Sequence, residues 1–115
     1  MIEKTVLKYL NDKLDFPIFM EEPKNPPSHY YLMEKTAGGQ NDRIFNSTLT
    51  VQSYAPSMLE AAELNDELKT VMLEAYVLPE VTRVRLNSDY NYTDTTTKRY
   101  RYQAVFNLIH YRKDY

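Results

Sequence analysis

A chain of 115 residues has the length of one domain and can bury one hydrophobic core. A formal net charge of -2 argues against partners chosen by bulk electrostatics, and the lack of cysteine excludes disulfides, thiolate catalysis and cysteine-ligated zinc. No apolar stretch is long enough to predict a membrane span, and the first residues are too polar for the apolar core of a signal peptide. We therefore expect a soluble single domain over residues 1–115.

The chain starts with an amphipathic segment. Ile2, Val6, Leu10 and Leu14 recur at intervals of four residues, which places their side chains on one face of an α-helix. The charged residues of the segment lie largely off that face. The pattern predicts a helix over Ile2–Leu14.

Three strands are predicted next. A short strand over Pro17–Glu21 precedes a proline-rich loop, which is poor in backbone donors and therefore a stiff loop or a sheet edge. His29–Thr36 and Arg43–Tyr54 are predicted central strands, and side chains in the second alternate between apolar and polar. The two adjacent glycines in Ala37–Asp42 predict the turn between them, so these strands should pair antiparallel.

A second helix follows the long strands. Ser57 and Glu60 have the spacing of a capping box, in which the side chain of each residue satisfies a backbone donor at the start of a helix. An apolar stripe runs from Ala61 onwards, and the helix is predicted to end near Ala75, ahead of Pro79.

Two more strands complete the predicted order. Val81–Ser88 is the first, Asp89–Thr97 is a polar loop, and Tyr100–Tyr111 is the last. Apolar residues occur on both faces of the last strand, which is typical of a strand inside a sheet or against another subunit. The sequence thus predicts an α+β domain of order α-β-β-β-α-β-β, with two helices on one face of an antiparallel or mixed sheet.

Sequence motifs for catalysis, metals or cofactors are weak. His29 and His110 have no nucleophile elbow to work with, and two histidines without cysteine do not predict a zinc site. Gly38–Gly39 is too short for a phosphate-binding loop and precedes a strand. We expect no cofactor, no metal and no catalytic residue.

Four arginines near the predicted last two strands are the main charged feature. If these strands pair across the intervening loop, Arg83 and Arg85 would form a positive patch with Arg99 and Arg101. Such a patch would contact DNA phosphates or an acidic partner. The alternative is a solvated strand face neutralised by nearby carboxylates.

Three long segments carry a resemblance to a known family: HYYLMEKTAGG, RIFNSTLTVQSYAPSMLEAAELNDELKTVM and VTRVRLNSDYNYTDTTTKRYRYQAVFNLIH. With the amphipathic helix and proline-rich loop before them, they resemble the small tail-terminator and head–tail joining proteins of long-tailed bacteriophages and prophages of Gram-positive bacteria. The resemblance covers nearly the whole chain.

The resemblance implies a structural virion protein and not an enzyme. Members of this family form a ring, commonly a hexamer, that caps the tail tube, stops its polymerisation and docks the tail to the head connector. The expected partners are further copies of the chain, the tail tube protein and the connector protein, with DNA only as passing cargo and no membrane. The expected location is the tail or neck of a virion assembled in the host cytoplasm.

Within that framework, the predicted turn at Ala37–Asp42 and the predicted loop at Asp89–Thr97 are expected to contact partners. The outer face of the last strand is a third candidate, and the four arginines would face the lumen or an interface. The candidate interface residues are Gly38, Gly39, Gln40, Asn41, Asp89, Tyr90, Tyr92, Val105 and Ile109.

Other functions stay open from the sequence. A head-completion protein or the tail tube protein itself would share many of these features, and a tube protein would polymerise into long stacks. A small α+β enzyme or ligand-binding module would need a concave pocket with convergent polar groups. A DNA-binding protein would show steep salt dependence, and the net charge of -2 weighs against it.

Overall fold

The computed structural model describes residues 1–97 and 99–111, which form two α-helices and a five-stranded sheet. The predicted α+β class and the order α-β-β-β-α-β-β are confirmed. Within the described part of the chain, no helix has the length and apolar character needed to cross a membrane. The elements are α1 (Ile2–Lys13), β1 (Ile18–Phe19), β2 (Tyr30–Asn41), β3 (Ile44–Ala55), α2 (Met58–Leu73), a short 3-10 helix (Ala75–Val77), β4 (Val81–Asn91) and β5 (Tyr100–Tyr111).

The sheet is mixed, with strand order β1-β2-β3-β5-β4. β1 runs parallel to β2, and every other neighbouring pair is antiparallel. β5 lies between β3 and β4, so the strand with apolar residues on both faces is an interior strand, which is one of the two positions that the sequence predicts for it.

Both helices cover the same face of the sheet and share one hydrophobic core with it. Leu49 lies opposite Phe106 in the β3–β5 ladder and Val51 lies opposite Ala104, and all four side chains are fully buried. Val6 and Leu10 from α1, and Leu64, Leu68 and Met72 from α2, belong to the same cluster. One face of the sheet is therefore covered, and among the described residues no helix lies on the other.

The predicted glycine turn between β2 and β3 is wrong. Gly38 and Gly39 lie inside β2, opposite Ser47 and Asn46, and the strand continues to Asn41. The turn consists of Asp42 and Arg43 alone, and Asp42 adopts the left-handed region with φ of 61°. A two-residue hairpin loop needs such a positive φ, and aspartate tolerates it better than most residues.

The predicted loop over Asp89–Thr97 is also too long. β4 continues to Asn91, and its last residues pair with the start of β5. The connection is tightened by an isolated bridge between Asp94 and Arg99. Side-chain oxygens of Asn91 and Asp94 accept hydrogen bonds from nearby backbone amides, a local arrangement typical of turns.

The predicted cap of α2 by Ser57 is confirmed, and the Glu60 side chain reaches back to the Ser57 hydroxyl and not to a backbone donor. The backbone amide of Glu60 donates to Ser57 Oγ at 3.2 Å, and that hydroxyl donates to Glu60 Oε2 at 2.8 Å. A regular helix follows to Leu73, and the 3-10 helix then brings the chain to β4.

Leu68 and Leu59 provide a matched test of this packing on one helix. The side chain of Leu68 is fully buried, whereas that of Leu59 is 71% exposed. Leu68→Ala should lower the free energy of unfolding by about 2–5 kcal/mol because it leaves a cavity in the core. Leu59→Ala should change it by less than about 0.5 kcal/mol. Urea unfolding followed by circular dichroism measures both, and equal losses would contradict the described orientation of α2.

Candidate interaction surface

The face of the sheet turned away from the helices is the candidate functional surface, here named the open face. Residues directly opposite in a β-ladder point to the same side, and successive residues alternate. Because Leu49 and Phe106 point to the helices, their neighbours Thr48 and Asn107 point to the open face. The open face comprises these and further residues at alternate positions: Tyr30, Leu32, Glu34, Ala37, Gly39, Asn46, Thr50, Gln52, Tyr54, Arg83, Arg85, Ser88, Tyr90, Arg101, Gln103, Val105 and Ile109.

A trough of about 440 Å³ crosses the open face near the β2–β3 turn. Its β2 side is low because it is formed by Ala37 and Gly39, whose side chains are a methyl group and a hydrogen atom. Its β4 side carries Arg83 and Arg85, and both side chains are exposed. The floor between the two sides carries Asn46, Thr48, Asn107 and Ile109.

The polar groups of the trough are only partly satisfied by the protein itself. Thr48 Oγ1 donates to Asn107 Oδ1 at 3.1 Å. Within residues 1–97 and 99–111, Arg83 and Arg85 form no ion pair and no side-chain hydrogen bond, and no carboxylate lines the trough. The trough therefore presents two positive charges and amide groups to whatever enters it.

An arginine–tyrosine cluster occupies the opposite end of the open face and consists of Tyr30, Tyr54, Tyr92, Arg99 and Arg101. The rings of Tyr30 and Tyr54 stack in parallel with centroids 4.6 Å apart. The Arg101 guanidinium lies 4.6 Å from the centroid of the Tyr92 ring, and its Nη1 donates to the Tyr54 hydroxyl at 3.1 Å. The Arg99 guanidinium lies 4.9 Å from the Tyr54 ring. These cation–π contacts and the stacking bury Tyr30 and Tyr54 although they lie on the open face.

Glu22, from the loop after β1, closes the cluster. Its Oε1 accepts hydrogen bonds from Arg99 Nη2 and from the Tyr30 hydroxyl, which lies at 2.7 Å. The hydrogen bond from Arg99, and then that from Tyr30, lowers the pKa of Glu22 below its ordinary value. Burial, and then the bond to Glu22, raises the pKa of Tyr30, which keeps its hydroxyl protonated as a donor. The cluster thus attaches the loop after β1 and the connection between β4 and β5 to the sheet.

A network of amide side chains extends from the arginine–tyrosine cluster into the middle of the open face. Gln52 Nε2 donates to Gln103 Oε1 at 2.8 Å across the β3–β5 ladder, and the Tyr54 hydroxyl donates to Gln52 Oε1 at 2.8 Å. Gln103 Nε2 donates in turn to the Tyr90 hydroxyl. The middle of the open face is therefore polar, and its side chains are held in place by one another.

The four candidate arginines do not form one patch. Arg83 pairs with Ile109 and Arg85 with Asn107, near the end of β5, whereas Arg101 pairs with Tyr54 at its beginning. The predicted patch is wrong because β4 and β5 are long antiparallel strands, which place Arg83 and Arg101 at opposite ends of their hairpin. Arg99 and Arg101 also bind groups within the protein, through Nη2 of Arg99 and through Nε and Nη1 of Arg101.

The other candidate residues divide between two regions. Gly38, Gly39 and Ile109 line the trough together with Arg83 and Arg85, although the sequence placed the glycines in a turn. Two further candidates, Gln40 and Asn41, are exposed at the end of β2.

Asp89, by contrast, points to the helices. Its Oδ1 accepts from Lys69 Nζ at 3.2 Å and from Asn65 Nδ2 at 3.3 Å, which ties β4 to α2. Tyr90 and Tyr92 contact each other edge to face at the cluster end, and Val105 is half-buried on the open face.

Neither histidine lines the trough, although His110 contacts the trough residue Ser47 from behind. His29 Nε2 is 3.2 Å from Glu60 Oε1, and its ring stacks on Phe16. This histidine therefore joins the segment before β2 to the first turn of α2. His110 Nε2 is 2.7 Å from Ser47 Oγ in a buried position, and burial lowers the pKa of this histidine. Over the residues that the structure describes, no group of acidic, histidine or cysteine side chains has the arrangement of a metal site.

No sequence pattern indicated the roles of Tyr30, Tyr54 and Glu22. These residues are far apart along the chain, and only the β2–β3 register and the loop after β1 bring them together. The one indication was compositional, since the chain has eleven tyrosines and no tryptophan. Tyrosine combines an apolar ring with a polar hydroxyl, which suits a cluster in which buried rings keep hydrogen-bonded hydroxyls.

Comparison with known proteins gives no family assignment. No protein-family model matches the chain, and no curated protein matches it.

The Glu22 contacts predict a specific pH dependence of stability. A carboxyl group whose pKa is lowered by folding stabilises the folded state above its ordinary pKa of 4.5, and this stabilisation is lost as the pH falls below that value. Glu22→Gln should therefore reduce the drop in melting temperature between about pH 6 and about pH 3. The pH-dependent contribution of Glu22 to the free energy of unfolding should stay below about 1 kcal/mol, because its side chain is 38% exposed and the ion pair is screened by solvent.

Glu21→Gln is the matched control for this measurement. Glu21 is the adjacent carboxylate, is exposed, and forms no ion pair within the described residues. The Glu21→Gln variant should show the same drop in melting temperature with falling pH as the unmodified protein. A Glu22→Gln variant with the same pH response as Glu21→Gln would contradict the described ion pair.

Proposed function

We propose that this protein is a ring-forming tail-terminator subunit of a long-tailed phage or prophage. In this function it caps the tail tube, stops the polymerisation of the tube and joins the tail to the head connector, while DNA passes through the ring. The observation that carries the proposal is the presence of two free strand edges on opposite sides of one sheet.

The first free edge belongs to β4. Within residues 1–97 and 99–111, β4 pairs with β5 on one side and with no strand on the other. The second belongs to β2, because β1 pairs only with Tyr31 and Leu32. Over the described chain, β2 therefore has no outer partner from Met33 to Asn41. Unpaired edges present backbone donors and acceptors that can pair with another chain.

The directions of the strands make the two edges complementary. β2, β3, β5 and β4 alternate in direction across the sheet, because each neighbouring pair is antiparallel. The β2 edge of a second copy in the same orientation would therefore meet the β4 edge in antiparallel alignment. Contacts between two different edges are heterologous, and heterologous contacts give closed rings when the rotation between subunits closes.

Two irregularities in β4 favour a curved junction over a flat, continuous sheet. The register of β4 shifts between Val81 and Arg83 and again between Leu86 and Ser88. Such bulges bend a strand and increase its twist, and they limit regular pairing to short stretches. A ring needs this curvature at each contact between subunits.

Exposed apolar side chains beside β4 add contact area for a neighbouring subunit. Leu73, Tyr76 and Val77 are 39%, 61% and 63% exposed, and the 3-10 helix that carries two of them packs against β4. Apolar groups grouped on a surface are typical of protein–protein contacts.

Cross-linking between the two edges tests the proposal. The chain has no cysteine, so Glu34→Cys on β2 and Ser88→Cys on β4 introduce the only thiols, both on the open face. A short bis-maleimide should convert the double variant into a ladder of oligomers that ends at one closed species. The ladder is read by denaturing electrophoresis and mass spectrometry.

The two single-cysteine variants are the controls, and each can give dimers at most. A double variant that also stops at dimers would contradict pairing between the β2 and β4 edges. A ladder without an upper limit would contradict ring closure and would favour a tube-type protein.

A further inference from the structure

We propose that the trough on the open face binds an acidic polypeptide segment of a partner protein through Arg83 and Arg85. The inference concerns the isolated subunit and does not depend on whether the protein forms a ring.

Two guanidinium groups give the trough its positive charge. Arg83 and Arg85 are exposed on one side of the trough and have no ion-pair partner within residues 1–97 and 99–111. A guanidinium offers five donors in a fixed plane and binds carboxylates in a bidentate manner. The arginines at the other end of the open face already bind Glu22, Tyr54 and Tyr92, whereas Arg83 and Arg85 have no such contact within the described residues.

The spacing of the two arginines indicates the form of the ligand. They stand two residues apart on a strand, and this places their Cα atoms roughly 7 Å apart on the same side. An extended peptide repeats its side chains on one side at the same interval. A segment with acidic residues at alternate positions therefore matches both guanidinium groups at once.

The floor and the low side of the trough provide the remaining contacts. Thr48 donates to Asn107 Oδ1, and the amide groups of Asn46 and Asn107 lie along the floor, where they can bind peptide N–H and C=O groups. At Gly39 a Cβ atom would meet no atom within 4 Å, so the absent side chain leaves open space there. This space allows a peptide backbone to approach the sheet.

Charge and size favour a polypeptide over nucleic acid. Strong nucleic-acid binding neutralises many phosphates, whereas the trough offers two guanidinium groups on a chain of net charge -2. A volume of about 440 Å³ accommodates a few residues of peptide. An acidic segment gains bidentate contacts here without the many cationic contacts that a phosphate backbone requires.

Fluorescence anisotropy with the isolated protein tests the proposal. The probe is a labelled hexapeptide of alternating glutamate and threonine, and the same peptide with glutamine for glutamate is the uncharged comparison. The glutamate peptide should bind at least about tenfold more tightly, because hydrogen bonds to charged groups are stronger than those between neutral groups. R83Q/R85Q should reduce binding by about tenfold or more.

Two further variants separate the trough from general electrostatics. K4Q/K8Q removes the same charge from exposed positions on α1, on the other side of the sheet, and should change binding by less than about twofold. Gly39→Leu keeps the charge, fills the open space without a clash at Cβ, and should abolish binding. Circular dichroism verifies that each variant is folded.

Several results would overturn the proposal. These are an absence of binding by the unmodified protein at millimolar peptide, equal losses in R83Q/R85Q and K4Q/K8Q, or unchanged binding in Gly39→Leu. A single-stranded DNA dodecamer that binds more tightly than the peptide and depends on the same arginines would assign the trough to nucleic acid instead. None of these readouts measures oligomerisation, so failure here and failure of ring formation are distinguishable.

Discussion

β3 and β5 pair over their whole length, from Ile44 opposite Tyr111 to Ala55 opposite Tyr100, and the rest of the molecule depends on this register. It places Leu49 beside Phe106 on the side covered by the helices. A shift of one residue would turn every core side chain of one strand to the opposite face. Burial of these side chains against α1 and α2 therefore fixes the register, and the register in turn fixes what the open face displays.

The same ladder explains why the side chains of the open face are ordered although no helix of the described chain covers them. Opposite residues on this face form side-chain pairs, such as Gln52 with Gln103 and Thr48 with Asn107. At one end, Arg101 lies against the rings of Tyr54 and Tyr92. At the other end, β2 has small residues and β4 has arginines, so the surface is concave and positive. One end therefore stabilises the fold, and the other is available to a partner.

Features that depend on neighbouring residues in the sequence were predictable. The alternation in β3 predicts its buried face, and the spacing of Ser57 and Glu60 predicts the start of α2, because both signals are local. The turn was misplaced because glycine pairs are strong turn signals, yet Asp42 supplies the positive φ and the hairpin is longer than expected. The local pattern contains two turn signals, the glycine pair and Asp42, and does not reveal which of them the strand register places in the turn.

The candidate site was predicted only in part, since it depends on pairings between distant segments. Gly39, Arg83 and Ile109 were candidates for different reasons, and only the order β2-β3-β5-β4 unites them in one trough. Strand length separated Arg83 from Arg101, and a sequence pattern does not fix that length.

We propose that this subunit is completed by copies of itself that close into a ring. The most direct measurement is the solution mass of the purified protein by light scattering coupled to size-exclusion chromatography, over a wide range of concentration. The account predicts a discrete closed species, near six subunits, whose mass stops rising with concentration. A monomer at every concentration, or growth without an upper limit, would contradict it.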